Sequence, residues 1–271
     1  MALIGLNGGL IGSQRVPNVG AASGLWTANE QALLKRAGQW GVDPNWADVR
    51  LLVGCNSLPA TDESSFATPI TTFTTAPLLD TSIKKFGAGS FSFPSDTERS
   101  FNVASTNNNV DVPLNTPFTW ECWIYYVSYT VAVLGRNNLN AFMESQGSND
   151  YVAGAASATI EASPSFFFTA SNDPADGFYH QSTIPTGVWI HWSLVRESSN
   201  NIYIYQDGVK STSTINSSLS LDGNSASPSF VVGKRQLSSG VNFRMDEVRI
   251  TVGTARYTAN FTPPTAAFPR G

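Results

Sequence analysis

From Val49 onward, hydrophobic and polar positions alternate with a period of two. The clearest run is Trp189-Ile190-His191-Trp192-Ser193-Leu194-Val195-Arg196, followed by Asn201-Ile202-Tyr203-Ile204-Tyr205-Gln206 and the pair Asp207-Gly208. Successive side chains of a strand point to opposite faces, so such alternation predicts half-buried antiparallel strands. Asp-Gly tolerates the positive φ of a tight hairpin turn. The same reasoning predicts strands at 49–54, 69–74, 89–93, 99–103, 118–127, 130–135, 140–144, 151–154, 165–170, 178–183, 188–196, 201–206, 209–215, 229–234 and 243–251. Turn residues separate them at the short intervals expected of an all-β, antiparallel β-sandwich jelly roll.

The first 48 residues read differently. Residues 1–25 are rich in Gly, Asn and Ser and predict an extended arm. Thr27-Ala28-Asn29-Glu30 is a capping-box pattern, and good helix formers run to about Gln39. Leu33, Leu34, Ala37 and Trp40 fall on one face of this short α-helix, with Trp26 just before the cap. About three turns of helix are marginal alone and need a partner surface. Two domains are therefore expected: 1–48 for attachment or oligomerisation through Trp26, Leu33, Leu34 and Trp40, and 49–271 for the sandwich.

A chain of 271 residues can bury a full core without metal or disulfide staples. Charged residues make up 13%, about half the usual share, and the net charge is −4. No Lys/Arg cluster could follow a phosphate backbone, so nucleic acid is not an expected partner. The neutral Ser, Thr and Asn surface suits packing against other subunits or neutral sugars. No stretch approaches the ~20 apolar residues of a membrane span. No basic leader precedes an apolar run at the N-terminus, so the chain is expected to be made in a cytosol. Cys55 and Cys122 read as buried free thiols; their spacing does not decide for or against one disulfide. His180 and His191 have no metal-ligand spacing to Cys, Asp or Glu, and no Gly-x-Ser-x-Gly elbow is present. Trp120 and Trp123 lie on opposite faces of one strand, as do Trp189 and Trp192 of another. One of each pair belongs to the core. Its mate is either covered by other elements or left as a sugar-stacking platform.

Several motifs in order resemble a known family. Val49-Arg50-Leu51-Leu52-Val53 is followed by Lys85-Phe86-Gly87-Ala88-Gly89-Ser90-Phe91-Ser92-Phe93, Phe118-Thr119-Trp120-Glu121-Cys122-Trp123-Ile124, the Trp189-x-His191 strand, the Tyr205-x-Asp207-Gly208 hairpin and Asp246-Glu247-Val248-Arg249-Ile250. The tail Ala255-Arg256-Tyr257-Thr258-Ala259-Asn260-Phe261-Thr262-Pro263-Pro264 closes the series. Together they resemble the laminin-G-like members of the concanavalin A-like lectin/glucanase superfamily, in the form common in tailed-phage virion proteins. The likeness covers roughly residues 49–269. Gly24-Leu25-Trp26-Thr27, Glu30-Gln31, Arg36 and Trp40 resemble the preface such proteins carry.

The resemblance implies a non-enzymatic structural virion protein displayed on tail or capsid, built into the particle with other virion proteins and assembled as a homotrimer. A carbohydrate-binding adhesin for host surface glycans is the alternative, and a polysaccharide hydrolase the remote one. The hydrolase branch carries a Glu-x-Asp-x-x-Glu strand, which places acids on one face at glycosidic spacing. Within the predicted strands the nearest acid pair is Asp246-Glu247, adjacent residues expected on opposite faces, Asp246 in a buried hydrogen bond and Glu247 in solvent. Family members often hold Ca²⁺ at the sandwich rim, with an acid after the first strand. That place reads Cys55-Asn56-Ser57-Leu58, leaving Asp62, Asp111 and Asp222 as weak substitutes.

Overall fold

The computed structural model describes residues 43–72, 75–95, 97–103, 110–128, 140–145, 151–156, 165–169, 177–217, 230–234 and 241–271. The predicted helix, its residues Trp26, Leu33, Leu34 and Trp40, the strand expected at 130–135 and Asp222 lie outside them. The chain divides into two units, residues 1–44 with 269–271, and residues 45–268. Among the described residues the one helical turn is Trp46–Asp48.

The larger unit is all β. Its strands in chain order are β1 (Val49–Val53), β2 (Ile70–Thr72), β3 (Leu78–Asp80), β4 (Ser90–Phe93), β5 (Arg99–Val103), β6 (Phe118–Ser128), β7 (Asn140–Ser145), β8 (Tyr151–Ala156), β9 (Ser165–Thr169), β10 (Phe178–Thr183), β11 (Trp189–Arg196), β12 (Asn201–Gln206), β13 (Val209–Lys210), β14 (Ile215–Asn216), β15 (Phe230–Lys234) and β16 (Asn242–Val252). One sheet runs β13-β12-β11-β6-β16-β4-β3, with β1 also beside β16 and β14 beside β12. The other runs β10-β9-β8-β7-β15-β5-β2. The two form the sandwich, and all strand pairs are antiparallel.

Alternation places the core between the sheets. Leu51, Phe91, Trp120, Ile124, Trp192, Ile204 and Ile250 of the nine-stranded sheet pack with Phe101, Phe142, Phe166, Phe168, Phe230 and Val232 of the seven-stranded one. Trp120 meets Phe230 edge-on at 4.8 Å, and Trp192 meets Phe142 likewise at 4.8 Å. Such T-shaped pairs lock the two layers in register beyond their burial of apolar area. His180 ties the same layers at one edge. Its Nε2 donates to the Val209 carbonyl oxygen at 2.9 Å while Nδ1 accepts the Ser182 N–H, and burial lowers its pKa.

Two expectations about strands need correction. Residues 209–215 form two short strands rather than one. Between them the Ser211 hydroxyl donates to the Ser213 carbonyl and accepts the Ile204 N–H, and Thr214 donates to the Ile202 carbonyl, so side chains take the place of ladder bonds. β3 falls outside the expected set: at three residues, Leu78-Leu79-Asp80 shows no alternation.

A bulge interrupts β16. Asp246 opposes Trp123 and Arg249 opposes Glu121, so two residues face Cys122. Glu247 takes up the extra residue with φ +52°. On the far side of β16 the partner changes over the same stretch, from β4 to β1.

Candidate functional site

The outer face of the nine-stranded sheet divides into a sealed half and an open half. The sealed half centres on Glu121, a fully buried carboxylate on β6. Arg249 on the neighbouring strand donates through Nε and Nη2 to Oε1, both at 2.8 Å, and the Tyr257 hydroxyl donates to Oε2 at 2.8 Å. Arg256 Nε lies 3.7 Å from Oε1 and His191 Nε2 3.3 Å from Oε2. Burial alone would raise the Glu121 pKa, but the positive charge of Arg249, with His191 and Arg256, holds it well below the usual carboxylate range.

The C-terminal tail closes this half. Tyr257 and Phe261 stack at 3.6 Å, and Tyr257, Phe261 and Phe268 all present to the His191 ring at 5.6–6.2 Å. The Phe261 N–H donates to the Gly208 carbonyl and Asn260 accepts the Lys210 N–H. Gly208 has φ +77°, and a Cβ there would stand 1.9 Å from the Phe261 carbonyl oxygen. The hairpin therefore needs glycine for its turn and for the tail's approach.

The open half is a row of side chains across five strands. Leu78 pairs with Ser92, Ser92 with Arg244, Arg244 with Tyr125 and Tyr125 with Trp189. Four strand spacings make it about 19 Å long. Tyr125 and Trp189 are half-buried, with ring centroids 5.5 Å apart. Leu78, Val127 and Val188 are exposed. Arg244 donates to Asp80 Oδ2 through Nε and to Asn242 Oδ1 through Nη1, both at 2.7 Å. One residue pair along, Trp123 is covered by Phe86, edge-on at 5.8 Å, and by the Lys85 ammonium, 3.9 Å above its ring.

The tryptophan alternatives are thus resolved one by one. Trp120 and Trp192 are core, Trp123 is covered, and Trp189 keeps part of its surface. The Glu121 cluster escaped sequence reading because its hydrogen-bond donors Arg249 and Tyr257 lie 128 and 136 positions away along the chain. The tail motif was its one visible trace, since Arg256, Tyr257, Asn260 and Phe261 all contact the sheet or its hairpin.

The acid pair needs correction. Asp246 does make buried hydrogen bonds: Oδ2 accepts the N–H groups of Lys85 (2.9 Å) and Phe86 (3.0 Å). Burial, with the Glu247 charge, pushes its pKa up to about 7 against the pull of those two amides. Glu247, expected in solvent, is fully buried and accepts the Phe268 N–H at 2.8 Å. The bulge turns it out of strand alternation and under the tail. Asp62 spends its carboxylate on four protein donors, the N–H groups of Leu52, Ser64 and Thr68 and the Ser64 hydroxyl. Asp111 lies half-buried ahead of β6. Among the described residues no three His, Cys, Asp or Glu side chains converge as a metal site. Cys55 and Cys122 are free and buried, and burial raises both thiol pKa values.

Two facing antiparallel sheets define the chain as a β-sandwich protein. A family profile described as the concanavalin A-like lectin/glucanases superfamily matches residues 97–254, and the chain belongs to that family. Among solved structures it is similar to the binding domain of Paraclostridial mosquitocidal protein 1, with TM-score 0.58, 14% identity and coverage of 78% of this chain and 50% of that one. It is also similar to botulinum neurotoxin type C, whose cell entry is described as dependent on two ganglioside molecules (TM-score 0.54, 16% identity, 76% and 48% coverage). A third likeness is to the binding domain of botulinum neurotoxin DC in complex with SialylT (TM-score 0.53, 16% identity, 76% and 48% coverage). The chain spans about half the length of these structures, and at such identities the likeness is one of fold. No curated protein sequence matches.

Proposed function

We propose that this protein is a non-catalytic, lectin-like module that binds glycans on the outer face of its nine-stranded sheet. The observation that carries the reading is the half-exposed Tyr125–Trp189 pair in an open cross-strand row, flanked by hydrogen-bonding side chains. Aromatic faces cover the apolar face of a sugar ring, while neighbouring polar groups fix its orientation. Similar folds described with gangliosides and SialylT support this reading over a purely structural one. The absence of catalysis is part of the proposal. Of the carboxylates near the row, Glu121 is enclosed by Arg249, Arg256, Tyr257 and His191, Asp246 is buried beneath backbone amides and Asp80 is paired with Arg244, so no two of them stand free to flank a scissile bond. The ordered resemblance to tailed-phage proteins supports a virion setting, with residues 1–48 as the attachment segment and host surface glycans as the target.

A glycan panel probed with the wild type and Trp189→Ala tests the site. Loss of one aromatic contact face is worth about 1.5–3 kcal/mol, or a tenfold or greater loss of affinity. The variant should stay folded with a modest fall in melting temperature, because Trp189 packs only on the edge of the Trp123–Phe268 cluster. A wild type that binds no glycan, or a Trp189→Ala protein that binds as well, refutes the proposal.

A further inference from the structure

We infer that the glycan accepted by the Tyr125–Trp189 row is acidic, carrying a carboxylate that Arg244 and Lys85 receive. The inference rests on the binding reading above and names its ligand class. Arg244 stands directly beside Tyr125 across the strand pair. Its Nε and Nη1 are committed to Asp80, Asn242 and the Phe243 carbonyl, whereas Nη2 has no acceptor among the described residues and keeps two N–H donors for a ligand. The Asp80 and Asn242 bonds hold the guanidinium fixed, which suits it to directional recognition of a carboxylate. Lys85 lies further along the strands, its N–H bonded to Asp246, two residues from Arg244 on β16 and opposite Trp123. Its ammonium rests 3.9 Å over Trp123 and 5.6 Å from the Phe86 ring, and it has no ion-pair partner among the described residues. Trp123 is two residues from Tyr125 on the same face, about 7 Å along the strand. Lys84, exposed in the same loop, adds a third positive charge.

Against these cations the carboxylates at the row are Asp80, bound to Arg244, and Asp246, buried under the Lys85 and Phe86 amides. A protein of net charge −4 thus gathers Lys84, Lys85 and the Asp80-paired Arg244 beside the half-buried Tyr125–Trp189 pair. A neutral sugar would offer these donors only uncharged oxygens, which accept weaker hydrogen bonds than a carboxylate. A carboxylated ring stacked on Tyr125 or Trp189 would bring an anion to this group of cations.

The test compares matched probes, lactose with 3′-sialyllactose and a neutral gluco-oligosaccharide with one ending in glucuronate, by titration calorimetry at low and high salt. The wild type should bind each carboxylated probe at least about tenfold more tightly than its neutral partner, with the ratio shrinking at high salt. Lys85→Gln should lower that ratio severalfold and Lys85→Arg restore it, while both keep the wild-type melting temperature. Equal binding of neutral and acidic probes, still lost in Trp189→Ala, overturns the acidic assignment and leaves the aromatic site standing. A ratio unchanged by Lys85→Gln or by salt also overturns it. Binding of no probe by the wild type overturns both.

Discussion

Replacing Asp246 by asparagine should flatten the stability of this protein between pH 5 and pH 8. The Asp246 carboxyl is fully buried, and its Oδ1 has no hydrogen-bond partner among the described residues. Its pKa is raised from 3.8 to about 7 in the folded state. A carboxyl with a raised folded pKa binds its proton more tightly when native. The stability it contributes is whole below its unfolded pKa and is lost as pH rises through the folded one. With those two values, the loss between pH 5 and pH 8 comes to roughly 2–3 kcal/mol, or about 5–10 °C in melting temperature for a domain of this size. The Glu121 pKa moves the other way, so its contribution is complete above the ordinary carboxylate range and stays constant across this window. The lowered pKa of His180 adds a rise in stability from pH 5 to about pH 6.5, common to both proteins. The substituted amide can keep both backbone hydrogen bonds through its carbonyl oxygen but cannot ionise. Urea denaturation at several pH values should therefore show wild-type stability falling relative to Asp246→Asn as pH rises, whatever the offset between the two curves. Parallel curves would mean that Asp246 titrates near its ordinary value, and the burial argument would fail.

Gly208→Ala should cost at least about 2 kcal/mol, because it imposes a left-handed φ on alanine and drives a methyl into the Phe261 carbonyl. Hydrogen exchange should rise first in residues 256–268, and an unchanged melting temperature would show that the tail does not depend on that approach. Cys55 and Cys122 should resist thiol reagents in the native protein and give two modified sites after denaturation without reductant. No modification would reveal a disulfide, and rapid native labelling would place a thiol at the surface.

The sandwich was legible because apolar core residues recur at every second position. β6, β11, β12 and β16 sustain that period over six residues or more, even where the tail and loops bury the outer face of β6, β11 and β16 as well. β3 is too short to alternate, and the 209–215 run contains the hydroxyls that break it into two. The Glu247 bulge left no mark, since a non-glycine residue at positive φ is imposed by its surroundings rather than by its own preference. The sealed cluster was illegible for a different reason. Glu121 sits between two tryptophans in a strand, which marks it as unusual, but its charge is balanced by residues brought in from the last strand and the tail.

The open site was half legible. Period two assigns Trp123 and Trp189 to the same outer face, and nothing local separates them. What separates them is the degree of coverage: Trp123 is buried under Lys85, Phe86 and Phe268, while Trp189 packs on the edge of the same cluster and keeps part of its surface. The division also sorts the polar groups by use. Under the tail, Arg249 and Tyr257 both turn to one carboxylate, and a ligand arriving there would have to displace bonds already made in a buried, low-dielectric setting. On the open half, Arg244 is braced by Asp80 and Asn242 yet retains an uncommitted nitrogen among the described residues, and Lys85 is braced by two rings yet has no described counter-ion. Fixed donors with spare capacity beside a partly exposed aromatic pair gain a partner when a ligand binds and lose none, which is the reason for proposing the glycan site on the open half of the sheet.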